Sequence, residues 1–143
     1  MSLKHLALSL LTATALFSGS AMAAEASKVP ELAGRALVWA DAASEDCEVP
    51  PEIEFGTDGK ITGNTACNTL MGAYTQNGYQ LDLSKAATTR RMCGPKLMEV
   101  EGKFLANLKA TRQFKLDGEH VQLLDDKGQV VMTLVPLQPG SCQ

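Results

Sequence analysis

Four glycine-bearing turn signals cut most of this chain into short strands. Asp58-Gly59 separates "EIEF" from "KIT", Asn77-Gly78 separates "GAYTQ" from "YQLDL", Asp117-Gly118 separates "QFKL" from "EHVQLL", and "DDKG" separates that run from "QVVMTLV". Such turns take the positive φ that tight hairpins require, so each joins two antiparallel strands. The flanking residues alternate as half-buried strands do. Ile53 and Phe55 fall on one face and Glu52 and Glu54 on the other, and Tyr79, Leu81 and Leu83 share a face opposite Gln80 and Asp82.

One segment departs from the two-residue period. In "GPKLMEVEGKFLANLKA", Leu97, Val100, Phe104 and Leu108 recur at helical spacing with Leu105 beside them, while Lys96, Glu99, Lys103 and Lys109 lie elsewhere. Pro95 suits a first helical turn, and Gly102 weakens the helix by about 1 kcal/mol relative to Ala. The expected fold is α+β: a curved antiparallel β-sheet, a partial barrel of hairpins, packed on one amphipathic α-helix.

The first residues bear on compartment. Lys4 and His5 precede the apolar run "LALSLLTATALFSG" and the small-residue ending "SAMA", the layout of a cleavable secretory signal over residues 1–23, with cleavage between Ala23 and Ala24. The apolar run is shorter than the ~20 residues needed to span a bilayer, so no transmembrane segment is expected in the mature chain. Alanines stand where a lipoprotein would carry its lipid-accepting cysteine. The expectation is therefore a single domain over residues 24–143, periplasmic, not a lipoprotein and monomeric.

Charge excludes one class of partner. The net charge is −3 at pH 7, and loss of Lys4 with the leader makes it one more negative. Arg90 and Arg91 form an isolated basic pair rather than a stripe interleaved with aromatics, so they read as a solvated edge and nucleic acid is not expected.

Cys47, Cys67, Cys93 and Cys142 remain after processing. An even count in an oxidising compartment reads as two disulfides, with three possible connectivities that spacing does not rank. With 19, 25 and 48 residues between successive cysteines, and His120 the one histidine left, no metal site is expected. There is also no C-x-x-C redox pair. For catalysis, His120 falls on a strand beside a turn and reads as exposed. Glu52 with Glu54, and Glu99 with Glu101, read as the solvent faces of a strand and a helix. No reaction class gathers enough parts, and no cofactor is expected.

"GNTACNTLMGAY" is the most distinctive stretch. Gly63 and Gly72 mark bulges or close backbone approaches, Asn64 and Asn68 can satisfy neighbouring peptide groups, and Tyr74 offers an apolar ring with a polar tip at the edge of a core.

Taken together, "PPEIEF", "ITGNTACNTLMGAY", "TTRRMC" and "LMEVEGKFLANL" resemble the META domain, and especially its heat-shock HslJ-like bacterial branch, over roughly residues 31 to 137. The resemblance rests on Gly63, Asn64, Cys67, Asn68, Gly72 and Tyr74, then Thr89, Met92 and Cys93, then Glu101, Phe104 and Leu108. It implies a small exported envelope domain associated with stress, without a shared catalytic activity or cofactor, that binds another protein or an apolar ligand. The motif residues would then be structural or partner-binding. It also implies that Cys67 pairs with Cys93, since Cys47 and Cys142 lie outside the family pattern and are left for one another. Three rival functions are an inhibitor of a cell-wall or proteolytic enzyme acting through an exposed turn, a thiol redox protein, and a purely structural envelope protein with no dedicated ligand.

Overall fold

The computed structural model describes residues 28–42 and 49–138. Ten strands and one helix follow in order: β1 (Ala36–Trp39), β2 (Glu52–Phe55), β3 (Lys60–Asn64), β4 (Thr69–Ala73), β5 (Thr75–Asn77), β6 (Gln80–Asp82), β7 (Ala87–Thr88), α1 (Pro95–Ala110), β8 (Gln113–Asp117), β9 (His120–Leu124) and β10 (Val130–Pro136). A short 3-10 turn, Ala40–Ala42, follows β1. The leader and both Cys47 and Cys142 lie outside the described residues.

All strand pairs are antiparallel, in the order β5-β6-β8-β9-β10-β1-β2-β3-β4-β7. Only Tyr74 separates β4 from β5, yet β5 begins that order and β4 stands next to its other end, beside β7. The sheet therefore curls back toward itself as a half-barrel. With α1 it makes the α+β fold that the alternating and helical periods anticipate.

Two hairpin turns sit one residue later than the sequence suggests. Asn77 pairs with Gln80 and Asp117 with His120, so the turns are Gly78-Tyr79 and Gly118-Glu119. Glycine at the first turn position, at φ 61° and 62°, matches the twist of the flanking strands, and Asn77 and Asp117 stay in the ladder.

Inward residues fill one core. Ile53, Phe55, Ile61, Leu70, Val121, Leu123 and Leu134 from the strands meet Phe104 and Leu108 from α1, all fully buried. Each such side chain contributes roughly 1.5–3 kcal/mol through burial. Trp39 at the end of β1 meets Phe104 with ring centroids 6.0 Å apart, which ties the helix to the sheet.

The two ends of α1 are built differently. Gly94 in an extended conformation precedes Pro95, whose missing N–H is no loss at that position. At the other end Thr111 donates its N–H to Asn107 O (3.1 Å) and its hydroxyl to the same carbonyl (2.8 Å), and Arg112 donates to Lys109 O (2.7 Å).

Candidate functional site

The motif "GNTACNT" forms the crossing from β3 to β4. Gly63 and Gly72 stand diagonally on that ladder at φ 152° and 154°, a region L side chains rarely adopt. A Cβ on Gly63 would lie 2.0 Å from Glu52 O, and one on Gly72 would lie 2.4 Å from Lys85 O. Backbone from β2 and from the 83–86 loop occupies the space a side chain would need, as the sequence reading of close approach implies. Between the two strands Ala66 takes φ 77°, a strained value for a residue with a Cβ. Neighbouring bonds hold it there. Thr65 N–H donates to Asn68 O (2.9 Å), Asn68 N–H to Thr65 Oγ1 (3.0 Å), and Ala66 N–H to Asn64 Oδ1 (3.1 Å).

This crossing turns Asn68 inward, where it is 2% exposed. Its Oδ1 accepts from Arg91 N–H (2.6 Å) and from the Thr89 hydroxyl (2.9 Å), and its Nδ2 donates to Arg91 O (3.2 Å). One amide thus closes on the backbone of residue 91 from both sides, as a neighbouring strand would. Thr89 Oγ1 also accepts from Thr69 N–H (3.0 Å), and Arg91 Nη2 donates to Cys67 O (2.9 Å). Cys67 and Cys93 form a disulfide that completes the connection, the pairing the family resemblance implies.

Glu101 corrects one expectation. The sequence reading placed it with Glu99 on the solvent face of the helix, but it is 8% exposed. Asn68 Nδ2 lies 3.1 and 3.0 Å from its two carboxylate oxygens, and the Thr65 hydroxyl donates to it. Glu99 does face solvent, 2.7 Å from Lys103, and this partner holds its carboxyl below the usual range. A sequence signal for Glu101 was available. It follows Leu97 by four residues and precedes Phe104 by three, so it lies on the apolar stripe, where a carboxylate needs a buried partner.

The remaining motif residues divide between core edge and surface. Tyr74 packs edge-on to Phe55 (5.0 Å between centroids) and donates to Gly56 O (2.8 Å). Burial, with Asp58 and Glu31 adding to it, raises its phenol above the ordinary value. Asn64 Nδ2 reaches Glu52 Oε2 at 3.4 Å. Met92 is 87% exposed. His120 is exposed on β9 and separate from this cluster, as the strand alternation implies. Arg90 and Arg91 are both exposed, though Arg91 also bonds the turn through its guanidinium.

Two open grooves lie elsewhere. The larger, about 730 Å³, is lined by Thr75, Asn77, Gln80, Leu81, Asp82, Ser84, Arg112, Gln113 and Asp126. The second, about 460 Å³, runs past Glu31, Tyr74 and Gln76. Polar side chains outnumber apolar ones along the larger, where Leu81 is the one large apolar side chain. Among the described residues no helix is long and apolar enough to cross a membrane, and no three His, Cys, Asp or Glu side chains gather as a metal cluster.

Comparison with known proteins places this geometry. The model of the META domain matches residues 31–136. Among solved structures, the NMR structure of a protein from Burkholderia xenovorans superposes with a TM-score of 0.60 at 22% identity, covering 75% of this chain and 84% of the other. A second NMR structure gives a TM-score of 0.55 at 26% identity, over 73% and 91%. The crystal structure of a DUF4847 family protein from Bacteroides vulgatus ATCC 8482 gives 0.55 at 13% identity, over 73% and 93%. No curated protein matches.

Proposed function

The chain belongs to the META domain family, and on that premise we propose that it is an HslJ-like, non-enzymatic domain exported to the bacterial periplasm, where it binds another protein under envelope stress. One observation carries the reading: the polar atoms of the motif bond one another. Asn68, Thr65, Glu101 and Thr89 satisfy each other or nearby backbone, and the Cys67–Cys93 disulfide fastens the same two segments. A group bonded in this way serves rigidity, and rigid exposed loops bind with little ordering cost. Export is supported by the leader-like sequence ending at Ala23. A protein partner is favoured over an apolar ligand because both of these grooves are open and the larger has Leu81 as its one large apolar side chain.

Affinity capture from envelope extract before and after heat stress tests the function, with mass spectrometry of the exported bait testing the compartment. A partner enriched by stress on a bait beginning at Ala24 is the expected result. Retention of residues 1–23, an added lipid, or a bait that converts a small substrate catalytically would overturn the reading. The rival thiol role predicts at least one cysteine thiol that reacts with a maleimide in the native protein, which two closed disulfides would forbid.

A further inference from the structure

The segment between β7 and α1 alternates in its attachments. Thr89, Arg91 and Cys93 are fixed to the 65–69 turn through side chain, backbone and disulfide, respectively. Arg90 and Met92, the residues between, are left exposed, Met92 at 87%. An apolar side chain so open, on backbone held at three successive alternate positions, gains nothing for the fold by its own burial. Its backbone is however already fixed in place for contact with something else, which removes the backbone part of the entropy cost of binding.

Charge narrows what that is. From Leu83 to Met98 the chain carries Lys85, Arg90, Arg91 and Lys96 and no acidic residue, although acids outnumber bases in the whole sequence. Two exposed acids bound this segment, Asp82, whose charge meets Lys85 and Arg112, and Glu99, which is paired with Lys103, while Glu101 is turned inside and bonded to Asn68 and Thr65.

We propose that the Arg90–Met92 loop is the contact surface for the partner protein, with Met92 entering an apolar pocket whose rim carries carboxylates that face Arg90 and Arg91. This rests on the proposed binding function and adds the surface and the chemistry of its partner. Methionine and arginine are enriched at protein interfaces, and an apolar anchor inside a charged rim is the usual arrangement of a binding hot spot.

The test uses a photo-cross-linking amino acid placed at Gly94 in the full chain expressed in its host. A side chain there meets open space, so the loop and its three contact residues stay intact. Comparator probes replace Tyr79 and Val130, which are 47% and 45% exposed. The expected result is a cross-link from Gly94 and none from the comparators, mapped to a partner peptide with Asp or Glu beside apolar residues. Met92→Ala and Arg90→Glu should each lower its yield at least about tenfold, as for loss of a hot-spot residue, with Tm unchanged within about 3 °C. Cross-links from Tyr79 or Val130 alone, unaffected by either substitution, would overturn this surface while leaving a binding function standing. No protein adduct from Gly94 in heat-stressed cells would overturn this surface, and the affinity capture decides the binding function separately. An adduct with lipid or with a second copy of the chain would also overturn the proposal.

Discussion

Replacing Asn68 with alanine separates a motif held by its side chain from one held by the disulfide alone. The substitution removes two bonds accepted by Oδ1, one donated to Arg91 O, and the donation to the Glu101 carboxylate. At about 1 kcal/mol for each neutral bond and roughly 2 kcal/mol for the charged one, the gross loss is about 5 kcal/mol. Thr89 and Arg91 are exposed and regain water, whereas Glu101 stays buried. The expected net cost is therefore about 3 kcal/mol, or a fall in Tm of roughly 12 °C for a domain of this size. Asn68→Asp tests the origin of the loss. It keeps the shape and the acceptor but sets a second carboxylate against Glu101, which favours proton uptake by the introduced group on folding. A group whose folded value is raised adds stability at low pH that disappears as pH climbs, so Asn68→Asp should gain on wild type as pH falls from 7 toward 4. Urea unfolding followed by circular dichroism, with the disulfide intact, measures both effects. A loss under about 1 kcal/mol for Asn68→Ala, or a pH-independent Asn68→Asp, would show that the network is not what holds the motif.

Removing the Cys67–Cys93 bridge, which joins residues 26 apart in sequence, should cost about 3 kcal/mol in denaturant unfolding if chain entropy dominates. Peptide mapping without reduction should recover this pair together with Cys47–Cys142; a Cys47–Cys67 or Cys93–Cys142 peptide would contradict both assignments. Gly63→Ala and Gly72→Ala should each destabilise by at least about 3 kcal/mol, because the new Cβ meets peptide backbone rather than a movable side chain. Soluble variants with wild-type Tm would refute the close approach. Tyr74 should titrate above the ordinary phenol value near 10, visible by ultraviolet difference spectra. Its protonated form is the one favoured by folding, so this stability is intact below about pH 10 and is lost as pH rises through the folded value. Tyr74→Phe should lose about 1 kcal/mol at neutral pH with the bond to Gly56 O, and should flatten the alkaline decline.

The parts of the fold that depend on short-range pattern were legible. Alternation identified the inward faces of β2 and β6, and the period of 3.6 identified α1, because those patterns state which side of an element meets the core. The turns at Gly78 and Gly118 were placed one residue early, since a dipeptide rule does not say which residue of Asn-Gly or Asp-Gly closes the ladder. The curl of the sheet into a partial barrel was expected, but the contacts that go with it were not. Gly63 and Gly72 signalled a close approach, but the backbone each one meets comes from elsewhere in the chain: Glu52 for Gly63 and Lys85 for Gly72.

Glu101 shows a different limit. Its place on the apolar stripe could have flagged it, yet its partner Asn68 is 33 residues away, and neither residue explains the other locally. Burying this carboxylate is tolerable because the Thr65 hydroxyl and the same amide that grips the 89–93 segment both donate to it. The helix and the loop are thereby coupled through one side chain. A substitution at Glu101 should disturb the backbone at Arg91, although the two residues make no direct bond among those described, and amide shifts at residues 89–93 in Glu101→Gln would reveal it. If those shifts stay at wild-type values while stability falls, Glu101 supports the helix alone and Asn68 holds the loop without it.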